Sequence, residues 1–273
     1  MLGEHRTAFI DGASCLTFIV GDPVAALRAP HALTAAFHTH GFNTIMLPAH
    51  VGADQIEAFL DGALHIQNLR GCLITMPHKL RVAGHCDRLS ARADFLGAVN
   101  IIRQDPTGGW LGDNLDGEGF MRALGSDKPS VAGKSAFLMG TGGVGAAIGL
   151  ALLSAGLSKL RVRDLDAARQ RDFIERFDKL YPGRTEAAHE DGSEDLMINA
   201  TPVGMRIDDP PSIVLSERHR PELVADVVTS EAPTSLIAQA RAADIATLTG
   251  LEMLTAQIPL AISFLHDFSI EPE

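Results

Sequence analysis

Between Ser135 and Leu153 the chain runs through a short apolar segment, a glycine-rich turn and an Ala- and Leu-rich segment, in that order. The turn is Gly140-Thr141-Gly142-Gly143-Val144-Gly145, which satisfies the GxGxxG spacing. No other stretch restricts the fold as much. A strand that turns into a helix on such glycines lets the backbone approach a pyrophosphate and lets the helix pack closely. The free N–H groups and dipole at the helix start then favour an anion. These residues read as a dinucleotide cofactor site.

The segments around the turn continue the pattern. Ser135–Met139, Leu160–Arg163, Leu196–Asn199 and Leu223–Val228 read as buried strands, and Met253–Phe264 as a closing helix. A first alternating block precedes them. Leu16–Val20, Thr44–Leu47 and Gly71–Met76 read as strands, with helices marked by Pro30, Leu33, Ala36 and Phe37 and by Ile56, Phe59, Leu60 and Leu64. Alternation of this kind predicts a parallel, helix-covered sheet in each of two α/β lobes. The boundary is expected between Asp116 and Gly133.

Charge and cysteine usage exclude several classes. Lys plus Arg is 23 against 34 Asp plus Glu, a net charge of −11. With no basic patch, neither nucleic acid nor an anionic membrane is an expected partner. No apolar run approaches the roughly 20 residues that span a bilayer. Met1–Val20 makes a poor signal peptide, because Glu4 and Asp11 interrupt it. Cys15, Cys72 and Cys86 are an odd number without CxxC spacing, which fits buried thiols and a reducing cytoplasm. His38 and His40 are two apart on an expected helix and do not share a face, so no metal is expected.

Asp164 follows the second strand of the cofactor lobe, near the expected distance of about 20 residues for the acidic residue that holds the adenine ribose. A carboxylate there accepts from both ribose hydroxyls and repels a 2′-phosphate. Arg161 and Arg163 precede it on the strand. The expectation is therefore NAD, with NADP less favoured.

Three polar spots interrupt the first lobe: Thr75-Met-Pro-His-Lys79, Gly97-Ala-Val-Asn100 and Gly112-Asp-Asn-Leu-Asp116-Gly117. At strand carboxyl ends they would face one crevice, where open α/β sheets bind ligands. A lysine and an aspartate brought together there make a proton-transfer pair. With Gly21-Asp-Pro23, Asn199-Ala-Thr-Pro-Val-Gly-Met205 and Gly250-Leu-Glu-Met-Leu-Thr-Ala-Gln257, these spots and the glycine turn stand in one order along nearly the whole chain. In that arrangement the chain resembles the shikimate/quinate dehydrogenase family.

The resemblance implies an N-terminal substrate-binding α/β lobe over residues 1–115, with 250–273 returning to it. It implies a Rossmann-type dinucleotide-binding lobe over 116–249. It makes Lys79 and Asp116 the catalytic pair, with Lys79 taking the proton of the substrate hydroxyl. Thr75, Asn100 and Gln257 would bind substrate. Asn199, Thr201 and Met205 would flank the cofactor with Gly140–Gly145, and Gly250 would lie near the nicotinamide. The family's NADP-dependent members carry an Asn-Arg-Thr-like cluster where this chain has Asp164-Leu165-Asp166, which again points to NAD. The implied partner is a small hydroxylated molecule, and the chain is expected as a monomer or homodimer.

The departures from the family pattern cluster at the substrate end. Ala26-Leu27-Arg28-Ala29-Pro30 stands where a Ser-x-Ser-Pro or Ser-x-Thr-Pro stretch binds the substrate carboxylate. Leu73 replaces an asparagine, Leu115 a threonine, His78 a common phenylalanine and Thr229 a tyrosine. The expectation is a dehydrogenase for a small cyclic or polyol secondary alcohol that is not optimal for shikimate. Two alternatives stay open. One is a genuine shikimate or quinate dehydrogenase that uses Arg28 for the carboxylate. The other is a non-catalytic module that senses NAD or another ligand.

Overall fold

The computed structural model describes residues 10–25, 27–188, 193–206, 208–215, 219–230 and 232–267. Ala26 and Glu4 of the sequence reading lie outside the described residues. The chain divides into two compact units, Met1–Asn114 with Ile258–Glu273, and Leu115–Gln257.

The first unit holds β1 (Cys15–Gly21), α1 (Ala29–Thr39), β2 (Thr44–His50), α2 (Ile56–Ala63), β3 (Leu69–Ile74), α3 (Lys79–Ala83), β4 (Arg88–Leu89), α4 (Ala91–Leu96), β5 (Ile101–Gln104) and β6 (Trp110–Asp113). Pro30 sits in the first turn of α1, where its missing N–H costs nothing, and Ala29, Leu33 and Phe37 bury one helix face. Ser90 caps α4 by accepting from the Ala93 amide at 3.2 Å, and Gly97 ends it in the left-handed region at φ 61°. The sheet order is β2-β1-β3-β5-β6-β4.

This sheet departs from the parallel one expected. β1, β2 and β3 are parallel, but β5 runs antiparallel to both β3 and β6. A tight reversal after β5 sets its direction against β6. Asp105 accepts from the Thr107 amide at 2.8 Å, and Gly108 and Gly109 take φ of 102° and 78°. The chain thus folds back as a hairpin with no crossover helix. As a result the ends of β1, β2, β3 and β6 and the start of β5 share one sheet edge.

The second unit holds α5 (Asp116–Leu124), β7 (Ser135–Met139), α6 (Gly143–Ser154), β8 (Lys159–Arg163), α7 (Ala167–Leu180), β9 (Thr185–Ala187), β10 (Leu196–Asn199), β11 (Leu223–Asp226), α8 (Ser235–Ala242), β12 (Ala246–Thr249) and α9 (Gly250–His266), whose last turns belong to the first unit. All its strands are parallel, in the order β12-β11-β10-β7-β8-β9. Numbered within the unit this is the 3-2-1-4-5-6 order of a doubly wound nucleotide-binding sheet, with its switch point between β7 and β10. Phe173 and Phe177 stack at 4.1 Å in its core, and Gly149 of α6 leaves room for the Phe173 ring. Among the described residues no helix is long and apolar enough to cross a membrane, and no cluster of His, Cys, Asp and Glu could hold a metal ion.

Candidate active site

In the second unit the glycine turn lies at the switch point. Gly140 takes φ +95°, open to glycine and strained for other residues, and its amide donates to the Arg163 carbonyl at 2.8 Å. A Cβ at Gly145 would run into the Gly140 carbonyl oxygen, so this glycine sets how closely α6 approaches the turn. A Cβ at Gly142, the N-cap of α6, would meet nothing within 4 Å. The turn therefore leaves open space at the head of a 12-residue helix, which is where a pyrophosphate fits. Thr141 is buried inside it.

The strand next to β7 brings its own turn alongside. The Ala200 amide donates to the Met139 carbonyl at 2.8 Å, and Gly140 packs against Thr201. Asn199 is fully buried and spends its amide on shaping this turn. Its Nδ2 donates to the Val203 carbonyl at 3.0 Å and to Asp226 Oδ1 at 2.9 Å. Its Oδ1 accepts from the Thr201 amide and hydroxyl at 3.1 and 2.7 Å. Gly140–Gly145, Asn199 and Thr201 thus stand together. Met205 is exposed further along the same loop, and Thr229 is exposed beyond β11. Gly250 lies against the carbonyls of Val227 and Val228, where a Cβ would collide with both.

Asp226 is a buried carboxylate that sequence reading did not single out. It accepts from Asn199, from the Val228 amide at 3.1 Å and from the Thr234 hydroxyl at 2.7 Å. Burial pushes its carboxyl up, and these hydrogen bonds only partly offset that. No local pattern marks such a residue, because its partners lie as far as 27 positions away.

Asp116, at the first turn of α5, is buried and accepts from Gln257 Nε2 at 3.2 Å. Gly119 makes room for the Gln257 side chain. The structure therefore brings Asp116 and Gln257 together across 141 positions of sequence.

In the first unit, backbone hydrogen bonds tie the segments carrying Thr75, Lys79 and Asn100 to the same end of the sheet. The Thr75 amide donates to the Val20 carbonyl at 2.9 Å, and the Ile74 amide to the Asn100 carbonyl at 2.8 Å. The Val99 amide donates to the Lys79 carbonyl at 3.0 Å, and the Asn100 amide to the Asp113 carbonyl at 3.0 Å. Lys79 is the first residue of α3 and is half-buried. His78 before it is fully buried, with Nε2 donating to the Val51 carbonyl at 2.8 Å. Asp113 anchors the far end of the row. Burial opposes its ionisation, but Arg92, at 2.7 and 2.6 Å, and the Ser90 hydroxyl outweigh it and hold the carboxyl below its ordinary value. Arg28 is exposed at the head of α1.

Asp164 behaves differently from the expectation. Its Oδ2 accepts from the Thr141 amide and hydroxyl, both at 2.8 Å, and its Oδ1 accepts from the Asp166 amide at 2.9 Å. Arg169 Nη1 lies 3.6 Å from Oδ1. Burial works against ionisation, yet these donors and the guanidinium hold the carboxyl below its usual range. The carboxylate is thus used inside the protein and partly neutralised, and Arg163 and Arg169 stand exposed around it. Arg161 is not available, because it pairs with Glu186 at 2.8 Å and Glu194 at 3.0 Å.

Residues 19–102 match the family model described as the shikimate dehydrogenase substrate binding domain. A protein of Rubrobacter xylanophilus named shikimate dehydrogenase (NADP(+)) is 36% identical over 256 residues, covering 91% of this chain and 89% of its own. The crystal structure of shikimate 5-dehydrogenase from Listeria monocytogenes, in complex with shikimate and NAD, superposes with a TM-score of 0.86 at 26% identity, covering 97% of this chain and 96% of that one. Quinate dehydrogenase from Corynebacterium glutamicum, in complex with NAD, gives 0.82 at 29% identity, covering 94% and 95%.

One expectation is overturned. Curated relatives at 30–36% identity are named as NADP(+) enzymes, against the preference for NAD over NADP read from Asp164. The physical reason lies in the bonds just described: a carboxylate held by Thr141 and balanced by Arg169 is not a bare charge facing the ribose. With 36% identity across nine-tenths of its length, the chain belongs to the shikimate/quinate dehydrogenase family.

Proposed function

We propose that the protein oxidises a secondary hydroxyl of a small cyclic or polyol molecule, in a reversible reaction, with NADP as the redox partner. The observation that carries this is that backbone hydrogen bonds tie the segments carrying Thr75, Lys79 and Asn100 to the same end of one sheet. The residues of the glycine turn fit the cofactor, since the space above Gly142 is open and the helix behind it is long enough to present a dipole. Gly140–Gly145 would hold the pyrophosphate, and Asn199 and Thr201 the wall beside it. A bound nicotinamide would supply the acceptor for hydride.

The remaining steps belong to the chain's own side chains. The Lys79 amine takes the hydroxyl proton as the C–H bond breaks. Asp116, already held by Gln257, is the second member of the pair and orients the amine as it takes that proton. Thr75 and Asn100 bind neighbouring oxygens of the substrate.

The substrate end is more apolar than the family pattern, with Leu27, Ala29, Leu73 and Leu115 at four positions where polar groups are usual. Hydrogen bonds to a charged group contribute about 1.5–3 kcal/mol each. Loss of the two hydroxyls at 27 and 29 would weaken binding of a carboxylate roughly 10²- to 10⁴-fold. The proposed substrate therefore carries fewer polar groups than shikimate. A second reading is favoured by the exposed Arg28 between those two positions and by the names of the relatives: Arg28 takes the carboxylate, and shikimate itself is the substrate.

NADPH formation followed by absorbance with shikimate, quinate and a panel of cyclic polyols separates the two. Tight, fast turnover of shikimate supports the second reading, and turnover only of less polar alcohols supports the first. In either case Lys79→Ala should lower turnover by about 10²- to 10⁴-fold, with NADPH binding by fluorescence unchanged. Undiminished turnover in that variant sinks the mechanism.

A further inference from the structure

Three strand ends stand side by side on one half of the second unit's sheet. Asn199, Asp226 and Thr249 close β10, β11 and β12 and are register partners. A doubly wound sheet takes its dinucleotide across the switch point, one mononucleotide on each half. The glycine turn after β7 and Asp164 after β8 mark the adenosine half. The ends of β10, β11 and β12 therefore belong to the half that takes the nicotinamide. Asp226 is the middle one of the three.

The surroundings of Asp226 are built for a carboxylate. Only 1% of the residue is exposed. Asn199 Nδ2 and the Val228 amide donate to Oδ1 at 2.9 and 3.1 Å, and the Thr234 hydroxyl donates to Oδ2 at 2.7 Å. These donors are fixed in direction. Asn199 cannot turn its amide round, because its Oδ1 accepts from the Thr201 amide and hydroxyl. The Thr234 oxygen accepts from the Ile237 amide at 3.3 Å as the N-cap of α8, which leaves its proton for Asp226. The positive end of α8 thus adjoins the carboxylate and favours its ionised form. What is missing is a cation. Among the described residues none acts on Asp226, although burial makes its charge costly. Other carboxylates along these strand ends are balanced. Asp164 has Arg169 at 3.6 Å. Glu252, which accepts from the Thr249 hydroxyl at 2.7 Å, has Lys128 at 3.3 Å.

The geometry points to Asp226 as a residue that discriminates between the two redox forms of the cofactor. The nicotinamide ring is a cation in NADP+ and becomes neutral when it takes up a hydride, a proton with two electrons. A buried carboxylate without a counter-charge attracts the cationic form across a medium of low dielectric and has no such attraction for the neutral one. Asp226 therefore raises the affinity for NADP+ relative to NADPH. At the bound stage this bias favours carbonyl reduction over alcohol oxidation. The inference rests on the reading of a nicotinamide dinucleotide as redox partner and adds to it a preference between that partner's two forms.

The test is calorimetric titration of the full-length protein with NADP+ and with NADPH, without substrate. Asp226→Asn keeps the side-chain volume and the oxygen that Asn199 and Val228 need, and turns its amide to Thr234. It should lower the affinity for NADP+ relative to NADPH on the order of tenfold. Adenosine 2′,5′-bisphosphate, which has no nicotinamide, should bind as it does to the wild type. Asp226→Ser removes the charge in a smaller side chain and should change the ratio in the same direction, which keeps the test open should the asparagine variant not fold. A structural role for Asp226 lowers both affinities alike. That result overturns the proposal, as does an unchanged ratio. A wild type that binds neither NADP+ nor NADPH, and neither NAD+ nor NADH, removes instead the cofactor reading beneath it.

Discussion

Asp164 stands where an acidic side chain ordinarily meets the adenine ribose, yet Thr141 and Asp166 occupy its two oxygens, and Arg169 stands 3.6 Å away. Under the proposed use of NADP, Arg169 is the natural partner for a 2′-phosphate, because its guanidinium is half-exposed and already held over the turn. Arg169→Ala should weaken NADPH binding about tenfold, the equivalent of one charge-assisted hydrogen bond of roughly 1.5 kcal/mol, and leave NADH binding unchanged. Nicotinamide fluorescence titrations read both. The glycines of the turn were legible in the sequence because their spacing is itself the motif. The use of Asp164 was not, because the Thr141–Asp164 bond joins residues 23 apart and no periodicity announces it. The same holds for Asp226. Thr75, Lys79 and Asn100 could be named from their motifs, but that backbone hydrogen bonds tie their segments to the same end of one sheet required the strands to be seen in register.

Among the elements, helices with a clear apolar face and strands with an unbroken apolar run were the readable ones. β7 and β10 have the bounds expected, whereas β4 and β9, of two and three residues, are too short for a run to show, and half of β12 is threonine. The antiparallel β5–β6 hairpin was missed because alternating strands and helices suggested crossovers throughout. The packing of α5 on α6 depends on one position. A Cβ at Gly117 would strike the Ala147 carbonyl, a backbone atom that no rotamer change can move. Gly117→Ala should therefore destabilise the second unit by about 1–3 kcal/mol despite alanine's better helix propensity. Urea unfolding read by a probe in that unit measures it, and unchanged stability would mean that the two helices part without cost.

On the scale of the whole molecule, acid should weaken the fold, and His266 at the end of α9 contributes a definable part. Its ring stacks on Phe42 at 3.9 Å and meets Phe37 edge-on at 5.3 Å. Burial, aided by Arg70, lowers its pKa from 6.5 to about 4. The folded state thus favours the neutral ring. Its contribution is fully present above pH 6.5 and is lost as pH falls from there toward 4. His266→Gln should flatten the thermal-stability profile over that window and leave its neutral-pH shape unaltered. Asp226 acts with the opposite sign, since its raised carboxyl favours the protonated form and so works against the acid loss.

The two sheets also differ in what they demand of time. In the second unit every neighbouring pair of strands is parallel, so each pairing must wait for a connection that crosses the sheet. In the first unit β5 and β6 are joined by five residues and can pair as soon as both exist. Loop closure is the slow part of forming distant contacts, and hairpins close in microseconds. The edge that carries Asn100 therefore begins in the earliest-forming part of the chain. The cofactor turn becomes competent only after β7 has found β10, some 60 residues downstream.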